Sequence, residues 1–425
     1  MNETKYYDYP LIAFAHYSAK NDISGVSTWL ERLATRLHKD GFSVVVYLQH
    51  FGSDPKESWL FQSLSQAGIT VNAEPRSRYL EDDIYGVLRF LNHHRPQVFL
   101  PQCLTANYLG GAIAGQAGLP WALSMRSDDP VYWAIAETLL PETKGGLIVG
   151  VSDHICRLAK DKHLATRTFT VPSGTSIPTV TASFSDAPFQ VAFSGRVIEE
   201  QKRISLVLAA MAQACRQDTR IQCWIIGEGR EFSSAQGWVK QQGLEERIQF
   251  LGRLSPDEVQ AHLAQCQALL LMSDYEGLPV AVLEAMAVGV VPIARAIPSG
   301  IPELVHDRKT GLLVDDTPEN AAAAIIELAN QPDLWSKCSG AAKHLVTDQY
   351  SEDACYQRWL QVIDELCRRS NVTYPIPIPR KIELPAIYPE LLEGHRHKPP
   401  LHNRVFAHSK QRIVQQLRRM KILIT

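Results

Sequence analysis

The sequence predicts an α/β protein made of two doubly wound, Rossmann-like domains that face a cleft. Three observations carry this. Short β-rich apolar runs alternate with helical patterns almost throughout, the rhythm of parallel strands covered by helices on both faces. That rhythm breaks in "PSGTSIPTVTASFSDAP", a Pro-, Ser- and Thr-rich stretch at 172–188, and then starts again. The chain has 425 residues, enough for two or three domains with sizeable cores.

The strands of the first half are "LIAFAHY" from Leu11, "SVVVYLQ" from Ser43, "ITVNAE" from Ile69, "VFLPQ" from Val98, "WALSMR" from Trp121 and "LIVGVS" from Leu147. Helical patterns fall between them, at 26–40 and 84–94 for example. In the second half strands start near Gln190, Cys223, Ile248, Ala268, Val290 and Gly311, with helical patterns at 204–216, 256–265, 279–288 and 319–330. The expected division is an N-terminal domain at 1–180, a C-terminal domain at 181–350, a helix at 351–370 and an extension at 371–425. The extension begins with a proline-rich stretch that no regular helix accommodates. From Gly394 onward its acids disappear, while Arg396, Lys398, Arg404, Lys410, Arg412, Arg418, Arg419 and Lys421 remain. "SKQRIVQQLRRMKILI" has Ile413, Leu417 and Met420 at helical spacing. Two readings stand for it: a helix resting on an anionic membrane surface, or a docked or frayed terminal helix.

Hydrophobic content of 45% and charged content of 21% are those of an ordinary globular protein. A formal net charge of −2 gives no whole-protein reason to expect nucleic acid as a partner. The eight cysteines stand singly, with no C-x-x-C pair and no zinc spacing, so they read as small buried residues in a reducing compartment. The N-terminal residues lack the pattern of a secretory signal, and no run of about 18 apolar residues exists to span a membrane. The expected location is cytoplasmic, peripheral on the inner membrane face if the basic tail docks there.

The chemistry concentrates in "SDYEGLPVAVLEAMAVGVVPI". The apolar run "ALLLMSDY" reads as a buried parallel strand ending in a polar loop, where ligands of open α/β sheets bind. Gly277 and Pro279 mark a turn and the first position of a helix. Glu284 falls inside that helix among Ala281, Val282, Leu283, Ala285, Met286 and Ala287. A carboxylate in so apolar a helix needs a partner, and ligand hydroxyls suit it. The plainer reading is a solvated helix glutamate. In "VAFSGRVIEEQKRIS" a strand ends at Gly195, followed by Arg196, a loop, Lys202 and a helix. Glycine admits a ligand to the backbone, a helix start offers N–H groups and positive dipole, and Arg with Lys suits a diphosphate. Solvated cations on a surface loop are the alternative. "WIIGEGRE" places Gly227 and Gly229 at the next strand end, where glycines permit a tight turn at the sheet's ligand edge and Gly227 is a candidate donor-binding residue, but Phe232 stands where a dinucleotide fingerprint needs its third glycine. Gly25 lies between the first strand and first helix, an ordinary turn glycine or a gap for a phosphate or acceptor.

Taken in order, Gly25, "GR…K", "IIGEG", "EGLPVAVLEAM", "GVVPIARAIPSGIPELV" and "KTGLLVDD" resemble the family 4 glycosyltransferases, which have the two-domain GT-B fold. The resemblance covers roughly residues 10–370 and is most specific in the second domain. It implies that Arg196 and Lys202 grip the donor diphosphate and stabilise the leaving nucleotide. It implies that Glu284 binds the ribose hydroxyls and that Glu276 lies near the transferred sugar, with Gly277, Leu278 and Pro279 along sugar and phosphates. It further implies a helix near 351–369 that crosses back to the first domain. Transfer would proceed with retention, the leaving phosphate helping to deprotonate the acceptor, and without a divalent metal. The donor would be a nucleotide sugar, and the acceptor a glycan or lipid-linked glycan of a cell-surface polysaccharide.

One position departs from the family. In "WALSMRSDDPVYW" Arg126 stands where the family often has histidine. A neutral histidine accepts a hydrogen bond from a sugar hydroxyl, whereas arginine only donates. An altered donor, a noncatalytic nucleotide-sugar or glycan-binding protein, and an epimerase or hydrolase on the same fold therefore stand as alternatives. Asp128 is a candidate group near acceptor or sugar, with a helix cap before Pro130 as its plainer reading.

Overall fold

A computed structural model describes residues 9–19, 24–52, 54–140, 146–164, 167–185 and 187–382. The basic tail singled out above lies outside the described residues.

The first sheet comprises β1 (Leu11–Ser18), β2 (Ser43–His50), β3 (Thr70–Pro75), β4 (Val98–Pro101), β5 (Trp121–Met125), β6 (Gly146–Gly150) and β7 (Thr168–Thr170). Its helices are α1 (Gly25–Lys39), α2 (Trp59–Gln66), α3 (Leu80–His94), α4 (Thr105–Gln116), α5 (Pro130–Leu139) and α6 (Asp153–Asp161). The second sheet comprises β8 (Phe189–Ser194), β9 (Ile221–Ile226), β10 (Ile248–Gly252), β11 (Ala268–Leu271), β12 (Val291–Arg295) and β13 (Leu312–Val314). With it come α7 (Ile204–Gln217), α8 (Phe232–Gln241), α9 (Pro256–Leu263), α10 (Val280–Ala287), α11 (Ile301–Leu304), α12 (Pro318–Asn330) and α13 (Pro332–Gln349). The chain's last described helix is α14 (Glu352–Arg369).

Among the described residues every pairing within the sheets is parallel, in the orders β3-β2-β1-β4-β5-β6-β7 and β10-β9-β8-β11-β12-β13. The order reverses between β1 and β4 in one sheet and between β8 and β11 in the other. Such switch points open a crevice at the carboxyl ends of the strands, because the connections on either side leave in opposite directions. The central strands are buried on both faces, as continuous apolar runs such as "ALLL" in β11 require. The element pattern therefore matches the predicted architecture, with β7 too short for its sequence to announce.

The chain passes between the sheets twice, and the two passages run side by side. Thr175 N donates to the Tyr350 carbonyl at 3.0 Å, and Glu352 N donates to the Thr175 carbonyl at 3.1 Å. Beyond this point α14 crosses back to the first sheet, as the resemblance implies. Its Tyr356, Trp359, Val362 and Leu366 join the core formed by β1, β2 and α1. Trp359 packs 5.2 Å from Trp29, and Tyr356 Oη donates to Asp40 at 2.6 Å. The proline-rich segment continues on the same body. Asn92 exchanges two hydrogen bonds with the Ile376 backbone, at 2.9 and 2.6 Å. No helix among the described residues is long and apolar enough to cross a membrane. All eight cysteines are free, six of them buried.

Candidate functional site

The switch point between β8 and β11 gathers most of the residues singled out from the sequence. Gly195 directly follows β8 at φ +148°, a conformation that glycine adopts readily. Arg196 follows it and is exposed, its Nη2 donating to Gln201 Oε1 at 2.5 Å. Gln201 in turn donates to the Tyr275 carbonyl at 3.2 Å, and its own carbonyl accepts from Asp274 N at 2.9 Å. The two polar loops are thus tied together by a glutamine. This fastening sets Lys202 Nζ 2.5 Å from Glu276 Oε1, with the side chains only 12% and 8% exposed.

Gly227 has a packing reason for being glycine. It sits at φ +127°, and a Cβ on it would lie 2.0 Å from the Gly195 carbonyl oxygen. The β8 and β9 loops touch backbone to backbone there, so protein, and not open space, fills the side-chain position. The α7 N-terminus is also partly taken. Glu199 accepts from Ser205 N at 3.0 Å and from Ser205 Oγ at 2.6 Å. The expectation of a free helix start after Lys202 is corrected to that extent. By contrast, no side chain caps α10, whose N-cap is Pro279 and not its first helical residue. Beside this end lie Glu276, Gly277 and Leu278.

Glu284 lies on α10 at the cleft. Its neighbours Val282, Leu283, Ala285, Met286 and Ala287 are all buried. Among the described residues it has no hydrogen-bond or ion-pair partner, and burial pushes its carboxyl up to about 7, against a smaller opposing pull from Arg32. Arg32 belongs to α1, so this carboxyl faces the first domain's leading helix.

The first domain supplies the opposite wall. A Cβ on Gly277 would lie 2.2 Å from the Arg126 carbonyl oxygen and 3.0 Å from Ser127 Cα. Asp128 precedes α5 and is engaged by two aromatic side chains. Its Oδ1 accepts from Trp133 Nε1 at 2.6 Å, and its Oδ2 lies 3.6 Å from His154 Nε2. Gly25 opens α1, and a Cβ there would meet nothing within 4 Å. Ser24, just before it, accepts from Ser27 N at 3.2 Å.

Three further features of the site are not signalled by the sequence analysis. Tyr275 stands between the domains, its hydroxyl raised first by burial and then by Asp129, against Arg196. Glu303 of α11 reaches across to the start of α6, accepting from Asp153 N at 3.0 Å and His154 N at 2.8 Å. Arg203 and Arg295 hold Asp274 and Asp316 in an ion-pair cluster beside the site. A tyrosine next to the loop glutamate was the one available signal; the other pairings join residues far apart in sequence. No cluster of three metal-ligating side chains occurs among the described residues.

Comparison with known proteins fits this geometry. Residues 182–345 match the family described as glycosyl transferases group 1. The putative colanic acid biosynthesis glycosyltransferase WcaL of Salmonella typhimurium is 37% identical over 134 residues, 30% of this chain and 32% of the relative. N-acetyl-alpha-D-glucosaminyl L-malate synthase of Bacillus anthracis is 31% identical over 170 residues, 39% of this chain and 43% of the relative. The chain thus matches about a third to two-fifths of the length of these curated relatives. Among solved structures, HepE of Anabaena in complex with UDP superposes with a TM-score of 0.67 at 17% identity, over 84% of this chain and all of that one. Sucrose-phosphate synthase from Thermosynechococcus elongatus gives 0.70 at 18%, over 85% and all. The architecture is therefore the two-domain GT-B fold, and its second domain carries the match to the glycosyl transferases group 1 family at residues 182–345.

Proposed function

We propose that the chain is a retaining glycosyltransferase that moves a hexosyl group from a nucleoside-diphosphate sugar to a glycan or lipid-linked acceptor in surface-polysaccharide synthesis. The observation that carries the reading is the convergence of Arg196, Lys202, Glu276 and the uncapped α10 start at the β8/β11 switch point. A diphosphate there would meet one exposed guanidinium, one ammonium and a positive helix end. Glu284, unpaired and facing the cleft, suits ribose hydroxyls, which donate to a carboxylate. The matched relatives include proteins named for colanic acid and amylovoran biosynthesis, and HepE is a neighbour solved with UDP-glucose. These support a polysaccharide acceptor and a uridine donor.

In this reading the bond from the anomeric carbon to the diphosphate breaks, and the electron pair leaves with phosphate. Positive charge on the sugar and negative charge on the leaving group grow together. Lys202 and Arg196 stabilise the second, being already positioned by Glu276 and Gln201. The acceptor hydroxyl attacks the face that the phosphate leaves, and its proton passes to a phosphate oxygen. With both cations in place no divalent metal is invoked. The basic tail at 394–425 is proposed to rest on an anionic inner membrane face, by its charge alone.

The test is a thermal-shift series on the full chain with UDP, GDP, ADP and dTDP sugars, in EDTA and then in Mg²⁺. A ligand of the folded state raises the melting temperature. Stabilisation by one nucleotide in EDTA, followed by α-anomeric product from an α-linked donor, supports the reading. Binding without transfer to any offered glycan would favour the noncatalytic alternative, and silence throughout would end the proposal.

A further inference from the structure

The first sheet's switch point holds a cation with no counterion among the described residues. Arg126 follows β5, and its guanidinium stacks 3.9 Å from the Trp29 ring centre. Nη1 donates to Ser173 Oγ at 3.2 Å, while Nε and Nη2 approach Gln102 Oε1 at only 3.4 and 3.5 Å. Every one of these partners is neutral. Among the described residues no carboxylate pairs with it, and Asp128 is engaged by Trp133 and turned toward His154. Burial holds the Arg126 proton affinity below its ordinary value, and the groups that raise it are the Cys103 thiol and the Tyr132 and Tyr108 phenols. His16, beside it at the end of β1, is driven down to about 3 by burial and by Arg126, and so brings no second charge.

An unpaired buried charge is costly, and nearby dipoles offset that cost only in part. The residue as a whole is nevertheless only half-buried, and its carbonyl oxygen abuts Gly277 of the opposite domain. Arg126 therefore stands at the wall where the two domains meet.

We propose that Arg126 receives the carboxylate of a uronic acid residue, carried by either the donor or the acceptor. The inference rests on the nucleotide-sugar reading above and names the substrate class of that same cleft. One positive charge among neutral neighbours complements one negative charge. The planar fork of the guanidinium matches the two oxygens of a carboxylate. Trp29 covers one guanidinium face, and the in-plane N–H groups meet only neutral oxygens at 3.2–3.5 Å, which a carboxylate would displace or join. A phosphate monoester would bring nearly two charges to a single cation.

The test compares acidic and neutral sugars on the full chain by calorimetry. The donor arm sets UDP-glucuronate against UDP-glucose, with UDP as the reference ligand. The acceptor arm sets methyl glucuronide against methyl glucoside, with and without UDP. A preference of about tenfold or more for the acid form in one arm is expected, the size of a charge-assisted pair, and that arm identifies the source. In Arg126→Gln the ratio should collapse to about one, and Arg126→Lys should retain only part of it. The melting temperature of Arg126→Gln should equal or exceed that of the native chain, because an uncompensated cation has gone. Equal affinities for acid and neutral sugars in both arms would overturn the inference, whether or not the variants fold. Failure of UDP to bind, with the glucuronide preference retained, would overturn the nucleotide reading alone.

Discussion

Lys202 Nζ stands 2.5 Å from Glu276 Oε1, and this pair joins the β8–α7 loop to the β11–α10 loop across the second sheet's switch point. If a donor diphosphate binds there, it competes with Glu276 for the same ammonium. Glu276→Gln should therefore tighten UDP binding several-fold while lowering turnover. Lys202→Ala should act differently, since it strands a buried carboxylate. Removing one partner of a buried pair costs about 3–5 kcal/mol. Turnover should fall by about 10²–10³, the loss typical of one preorganised charge. Calorimetry with UDP, urea unfolding and initial rates separate the two variants. Weaker UDP binding by Glu276→Gln would show that the glutamate serves the ligand and not the lysine.

Glu284 supplies a pH signature. Its carboxyl is raised by burial from the ordinary value to about 7. Between those two values the folded chain holds a proton that the unfolded chain has released. Stability contributed by this group is thus present at low pH and lost as pH rises toward 7, with no further slope above. Glu284→Gln should flatten that part of the stability profile, measured as urea midpoints from pH 5 to 8. Ribose hydroxyls donating to the carboxylate favour its charged form, so UDP binding near pH 6 should release a proton. Calorimetry in buffers of different ionisation enthalpy reads that release directly; proton uptake instead would remove Glu284 from the ribose site.

Much of this was legible because parallel sheets write themselves as apolar runs. β1, β2, β8 and β11 begin within a residue or so of the positions read from sequence, and α14 lies where the family likeness implies it. What escaped was set by contacts distant in sequence. Thr168–Thr170 becomes a strand because β6 offers it an edge, not through its own three residues. Glu199 is one of two adjacent loop acids in the sequence, and only the fold brings it onto Ser205 at the head of α7. Gly227 read as a ligand glycine, yet its neighbour is the Gly195 carbonyl, a backbone contact that no local pattern encodes.

Two glycines should respond differently to one added methyl group. Gly227→Ala places a Cβ 2.0 Å from the Gly195 oxygen, within one domain and at φ +127°. Such backbone strain costs of order 1–3 kcal/mol before the clash is counted, so the melting temperature should fall clearly. Gly277→Ala places a Cβ 2.2 Å from the Arg126 oxygen, which belongs to the other domain. The domains can part without either unfolding. This variant should melt near the native temperature yet show a larger radius of gyration in X-ray scattering and weaker donor binding. Equal loss of stability in both would mean that the two domains do not separate at this contact.

Glu303 is the second interdomain fastening, and its charge makes an unusual prediction. Its carboxylate accepts from the Asp153 and His154 amides at the head of α6, where a helix end favours an anion. Burial nevertheless outweighs those bonds, so the net effect is to raise its proton affinity above the ordinary value. If separation returns the carboxyl to water, the docked state binds the proton more tightly than the separated one. By linkage, docking should strengthen as pH falls from neutral toward the carboxylate range. Glu303→Gln copies the protonated form and keeps an acceptor, so it should dock as well as the native protein and lose the pH dependence. Glu303→Ala leaves two amides without their acceptor and should open the cleft, at a cost typical of a lost cap, about 0.5–2 kcal/mol. X-ray scattering of the three proteins at pH 5.5 and 7.5 decides the matter. A glutamine variant as open as the alanine variant would mean that the carboxylate charge, and not its acceptor oxygens, holds the domains together.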